Sequence, residues 1–158
     1  MELPTHNYFL WGPYLTKMKV EETLCEKLLT HGRELRTSHR NHLAGKIDKE
    51  FSYDNLKYYQ KQFQPYIDSW IHGWYRQLGS HVAVKGKLVS LWINFQKAKE
   101  HNPPHIHPGA DVSFALHLNA PLEMIGEKQD TTGIAPGRLS FLYGEERPHT
   151  IAERSFTP

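Results

Sequence analysis

Asn102-Pro-Pro-His-Ile-His-Pro-Gly-Ala-Asp111, running on into Val112-Ser-Phe-Ala-Leu-His-Leu118, is the stretch whose reading decides the fold. Two histidines one residue apart sit between a double proline and a Pro-Gly turn, and an alternating segment follows. In extended backbone the side chains at i and i+2 point to one face, so His105 and His107 can converge on a single ion. Asp111 lies just past the turn and can swing a carboxylate toward the same point. Two imidazoles and a carboxylate with open positions form the donor set of non-heme Fe(II) oxygenases. The structural alternative is a proline-rich loop whose histidines only hydrogen-bond backbone. Zinc is also compatible with histidine and carboxylate ligands.

Working outward, 88–95 (Leu-Val-Ser-Leu-Trp-Ile-Asn-Phe) reads as a strand, rich in bulky and β-branched residues. Trp92 and Asn94 share a face there by their spacing. They line a pocket, with Asn94 hydrogen-bonding a co-substrate, or else they are core packing and a satisfied buried amide. Residues 112–118 alternate apolar and polar, predicting a strand with one apolar face that Asn119-Ala-Pro121 closes. Residues 128–137 form a polar loop, 138–143 alternate again, and 144–148 read as a turn.

The first half of the chain has a different character. Tyr8-Phe-Leu-Trp-Gly-Pro-Tyr14 suggests a short strand closed by a Gly-Pro turn. Val20, Leu24, Leu28 and Leu29 predict a helix over 20–35, with Glu21 and Glu22 in its first turn and Gly32 placed to end or loosen it. Residues 43–50 read as a loop with a helical turn. An aromatic stripe (Leu56, Tyr59, Phe63, Tyr66, Ile67, Trp70, Trp74) predicts helix from 53 to 78. Pro65 should divide it, a short helix giving way to a longer one near Gln64. Such a stripe suits a helix face packed on a sheet better than a ligand-stacking platform. The whole is expected to be a single α+β domain over 1–158, with 1–80 mainly helical support and 81–158 the β core, helices backing an antiparallel sheet.

Composition sets the remaining bounds. With 39% apolar and 12% aromatic residues in 158, the chain can build a packed core. A formal charge of +2 predicts no nucleic-acid surface. The single cysteine, Cys25, excludes an internal disulfide, fits a reducing compartment and reads as a packing residue. No apolar run reaches the roughly 18 residues of a membrane span and no signal-peptide profile is present, so the expected location is cytoplasmic. Of the 11 histidines, His31, His39, His42, His72, His81 and His101 share no ligand spacing and read as surface or helix-flank residues. Cys-x-x-Cys, His-Glu-x-x-His, phosphate-binding glycine and Gly-x-Ser-x-Gly patterns are missing from the sequence.

Three segments in order, Trp92-Ile-Asn-Phe-Gln-Lys97, Asn102 to Phe114, and Gly137-Arg-Leu-Ser-Phe-Leu-Tyr-Gly-Glu145, resemble the 2-oxoglutarate/Fe(II) oxygenases of marine bacteriophages, cyanophages especially. Leu43-Ala-Gly-Lys-Ile47 and Ser155-Phe156 are similar to further segments of that family. The resemblance implies a double-stranded β-helix (jelly-roll) with N-terminal helices backing one sheet, and action in the cytoplasm of an infected host. It implies Fe(II) and 2-oxoglutarate as cofactors and hydroxylation of a substrate it does not specify. His105 and His107 match the family's proximal metal motif, with Asp111 the candidate carboxylate. Relatives continue past Ser-Phe with a distal histidine and a basic residue that grips 2-oxoglutarate. Here the sequence stops at Pro158, so the expected jelly-roll is C-terminally truncated, its open edge inviting a homo-oligomer or a partner chain. His149, Arg138, Arg147 and Arg154 do not match those positions. Two rival expectations stand beside the enzyme: a non-catalytic phage structural or protein-interaction module on the truncated jelly-roll, and a simple metal-binding protein using the histidine pair for Zn or Ni.

Overall fold

The computed structural model describes residues 13–40, 45–79, 83–121, 139–143 and 152–156. The expected strand at 8–14, the 128–137 loop, the 144–148 turn, His149, Arg138 and Arg147 lie outside them or are only partly included. Helix α1 spans Glu22–Glu34, β1 Glu50–Ser52, α2 Leu56–Gln77, β2 Trp92–Asn94, β3 Leu139–Tyr143 and β4 Ala152–Phe156. The strands make two antiparallel two-stranded ladders, β1 with β2 and β3 with β4. Residues 139–143 thus form the strand their alternation predicts, paired from Leu139↔Phe156 to Tyr143↔Ala152.

Helix α1 forms where its leucines recur. Glu22 lies in the first turn and His31 and Arg33 in the last, each matched to the sign of the helix dipole there. Leu24 and Leu28 are buried, as is Gly32. Gly32 does not terminate the helix. It lies inside α1 against the sheet, where a Cβ would fall 2.6 Å from Ile93 Cδ1 and 2.9 Å from the Tyr53 hydroxyl. The missing side chain sets how closely α1 approaches β2. Tyr53 fixes the same contact by donating its hydroxyl to the Leu28 carbonyl at 2.7 Å.

Helix α2 corrects the expectation of a break at Pro65, because it is continuous through that residue for 22 residues. A proline in a helix interior removes one backbone hydrogen bond and crowds a carbonyl, costing about 3 kcal/mol. Contacts on both sides of the proline offset that cost. Tyr59 and Phe63 are buried before it, and Tyr66 and Ile67 pack on the core after it. A side-chain relay also runs along the helix, Gln60 donating to Gln64 and Gln64 to Asp68 at 2.7 Å. Gln60 further ties the helix to the chain ahead of β2, donating to the Gly86 carbonyl at 3.3 Å and accepting from Leu88 N. Asn55 caps the helix by accepting from Tyr58 N at 3.1 Å.

The expected loop at 43–50 instead leads into a strand. β1 pairs with β2 in the register Glu50↔Asn94, Phe51↔Ile93, Ser52↔Trp92. Its other edge is lined by 37–39, with His39 N donating to the Glu50 carbonyl at 2.9 Å and Ser52 N to that of Thr37 at 3.0 Å. β1 is therefore the middle of three extended segments. The two faces of this unit divide the labour. Phe51 and Ile93 join the helix-side core of Leu24, Leu28, Leu35, Tyr53, Tyr59, Phe63, Leu88 and Leu91, while Glu50, Ser52, Trp92 and Asn94 occupy the other face. Residues 112–118, expected as a strand, carry no strand assignment and have no ladder partner among the described residues. Leu116 and Leu118 pack against the core and Phe114 meets the Phe63 ring at 5.1 Å.

Two substitutions should move stability in opposite directions in urea titrations. Gly32→Ala, normally favourable in a helix, should here destabilise by about 1–3 kcal/mol through overpacking against Ile93. Pro65→Ala should stabilise by about 1–3 kcal/mol by restoring a helix hydrogen bond.

Candidate functional site

The loop leading to the histidine pair is held at its base. Lys46 N donates to the His101 carbonyl at 2.9 Å, and Gly45, at φ 120°, permits that approach where a side chain would strike Asn102. The Glu100 carboxylate closes the preceding turn, accepting from Lys97 N at 2.7 Å and Asp48 N at 3.2 Å, and these bonds hold its pKa below the usual carboxylate value. Pro103 and Pro104 then stiffen the chain, and Gly109 takes φ 86° at the turn that follows.

Between these anchors the two imidazoles meet, ring centroids 4.8 Å apart and nearly perpendicular. Ile106 between them points away and is 85% exposed. His105 Nδ1 lies 2.7 Å from the Pro103 carbonyl oxygen. A carbonyl only accepts, so Nδ1 carries a proton, and in the neutral ring the lone pair then lies on Nε2, the tautomer that a metal-ligating imidazole requires. His107 is half-buried against Trp92, centroids 5.5 Å apart. Burial, reinforced by the nearby His105, pulls the His107 pKa below its ordinary value. Both effects favour the neutral ring, the form that binds metal. Asp111 is exposed, and no group of three or more His, Cys, Asp or Glu residues is gathered for a metal ion among the described residues. The histidines thus supply two nitrogen donors side by side, while the Asp111 carboxylate is not drawn up to them.

Trp92 connects this pair to the sheet. It stacks on His39 at 5.0 Å with planes 18° apart, and His39 Nδ1 is 2.7 Å from the Ser52 hydroxyl. The rings of His39, Trp92, His107 and His105 therefore form a continuous series above the face that carries Ser52 and Asn94. Asn94 sits directly opposite Glu50 in the ladder, so their side chains emerge on the same face. Glu50 is only 4% exposed, and neither its Oε1 nor Asn94 Oδ1 has a hydrogen-bond partner. Burial pushes the Glu50 carboxyl up, with Arg40 opposing that shift and Glu100 adding to it.

Sequence reasoning missed Glu50 and His39. Residues 43–50 read as a loop, and His39 as a surface residue. The available signal was the alternation of Glu50 and Ser52 about Phe51, too short to stand out. His31, likewise read as a helix-flank residue, joins the two helices. Burial, with Tyr58 and Asp54, raises the Tyr59 pKa to about 12, so the phenol keeps its proton, and its hydroxyl is hydrogen-bonded with His31 Nδ1 at 2.6 Å. The other imidazole nitrogen lies 3.8 Å from Asp54 Oδ1.

No protein-family model, no curated protein and no solved structure matches this chain. No helix among the described residues is long and apolar enough to cross a membrane.

The electrostatics of the pair can be read by NMR titration of the histidine Cε1–H signals. His107 should titrate with a midpoint below the ordinary value of about 6.5. In His105→Ala the midpoint should rise, because a positive neighbour that disfavours protonation has been removed, yet stay below 6.5 because burial persists.

Proposed function

We propose that this chain is an Fe(II)- and 2-oxoglutarate-dependent dioxygenase on a jelly-roll scaffold, with His105 and His107 as metal ligands and Asp111 as the candidate third. The observation that supports it most is the contact between two imidazoles, one held by its Nδ1 to the Pro103 carbonyl and the other kept toward its neutral form by burial. The donor chemistry fits iron as far as two nitrogens, and the exposed Asp111 carboxylate beyond the Gly109 turn would have to move in to complete the set. When bound, the metal with 2-oxoglutarate and O2 would supply oxidative decarboxylation of the co-substrate to succinate and CO2, coupled to hydroxylation of a C–H bond.

The chain's own residues have separate parts in this scheme. The Pro103 carbonyl orients His105. Trp92 backs the His107 ring, limits its rotation and keeps water from one side of it. Arg138, Arg147 and Arg154 are the bases nearest in sequence to the family's co-substrate grip, though none occupies its position. Cytoplasmic action in an infected host cell and hydroxylation of the substrate follow from the same resemblance.

A second reading, a protein-interaction module, draws on Ile106, Val112 and Phe114. These apolar side chains are 85%, 47% and 52% exposed along one unpaired stretch, and a partner strand would cover them.

Anaerobic calorimetry with Fe(II) and then 2-oxoglutarate separates the readings. The wild type should bind one Fe(II), and 2-oxoglutarate only after it. A His105→Ala/His107→Ala double variant should lose both. Metal binding without the co-substrate would reduce the protein to a metal binder. Absence of metal binding by the wild type would sink the enzyme and leave the interaction module.

A further inference from the structure

His107 meets the sheet at the Trp92 ring, and Trp92 stands on a strand of only three residues. A half-buried indole turns about two side-chain bonds, so its direction is set by what packs against it. His39 packs against it from the far edge of β1. Its backbone N–H donates to the Glu50 carbonyl at 2.9 Å, which fastens 37–39 along that edge. The Ser38↔Phe51 bridge sets the register, so His39 and Ser52 lie on the face that carries Trp92. Ser52 is the partner of Trp92 across the ladder, and its hydroxyl lies 2.7 Å from His39 Nδ1. Tied at both backbone and ring, His39 lays its plane along the indole, 18° from parallel with centroids 5.0 Å apart. The next ring in the series is His107, 5.5 Å from Trp92 and 4.8 Å from His105.

We propose that His39 is a positioning residue for the metal site: it braces the Trp92 indole and, through it, sets the direction in which His107 presents its ring nitrogens. The metal half of this role rests on the reading of His105 and His107 as ligands, and the bracing does not. Two considerations make the stack a brace. The His39 ring is oriented by a hydrogen bond to the strand, not to the loop that carries the histidine pair, so the wall keeps its place independently of that loop. The contact is also near-parallel, and a swing of the indole in either direction would break it. His39 acts through the indole and not as a third ligand, because no group of three or more metal-binding side chains is gathered among the described residues.

The test reads the His107 ring by NMR in the metal-free full chain, with EDTA present and above the titration of His107, so that only geometry moves its signals. The Trp92 ring current displaces the His107 Cε1–H and Cδ2–H resonances, and Trp92→Leu defines by how much. His39→Ala should lose most of that displacement. His39→Phe, which keeps a flat ring against the indole, should retain it. His39→Asn, which keeps a polar group for Ser52 without the ring, should not. Anaerobic calorimetry should show Fe(II) binding weakened about tenfold in His39→Ala and His39→Asn, the lower end of what outer partners of metal ligands contribute, and little changed in His39→Phe. An unmoved His107 signal in a folded His39→Ala overturns the brace, and so does His39→Asn behaving as His39→Phe does. A lost displacement with unchanged Fe(II) affinity overturns the link to the metal. If the wild type binds no Fe(II), the oxygenase reading fails and the NMR result alone decides the brace. Should His39→Ala fail to fold, the contrast between His39→Phe and His39→Asn carries the test.

Discussion

The close approach of α1 to β2 at Gly32 is the constraint on which the remaining geometry depends. A helix backbone that comes this near to Ile93 leaves no room for a side chain, and it commits one face of the β1/β2 ladder to the core. Strand residues alternate faces without exception over so short a span. Once Phe51 and Ile93 turn toward the helices, Glu50, Ser52, Trp92 and Asn94 must turn the other way. A slip of one residue would carry Glu50 and Asn94 into the leucine core and expel Ile93. The position of the candidate site is thus a consequence of helix packing on the opposite side of the sheet. Tyr53 reinforces the arrangement from the end of β1, since its buried hydroxyl is satisfied by α1 itself.

That division of faces explains why a glutamate is tolerated in the middle of three extended segments. A buried carboxyl facing an amide oxygen is a liability for stability, and the local structure does not relieve it. Its backbone is fully engaged, with the carbonyl accepting from His39 N, so the cost lies entirely in the side chain. A scaffold optimised only for stability would place apolar residues at such a pair.

The legibility of the chain follows the range of the interactions involved. Helix α1 and the face of α2 could be read directly, because residues three and four apart lie on one stripe and the signal is local. The continuity of α2 could not. Pro65 is a local signal for a break, and what overrides it is contact with the core and with residues 86–88, more than twenty positions away. The apolar run at 88–95 suggested a long strand, yet only Trp92–Asn94 enter a ladder. The length of a ladder is set by its partner, and β1 is three residues long. Residues 112–118 make the converse point. Alternation gives a segment two faces but does not supply the neighbour that makes it a strand. The meeting of His105 and His107 was readable from a spacing of two, whereas the Glu50–Asn94 pair joins residues forty-four apart through a register that no local pattern encodes.

The histidine pair and the acid–amide pair are both tied to Trp92: Asn94 follows it by two residues on β2, opposite Glu50, and His107 packs against its ring. His107, whose pKa burial and the nearby His105 both lower, presents a lone pair rather than a charge. Trp92 is the hinge of this arrangement. Its ring contacts His39 on the sheet side and His107 on the loop side, so the loop that carries the histidine pair is fastened to the sheet through a single rigid indole.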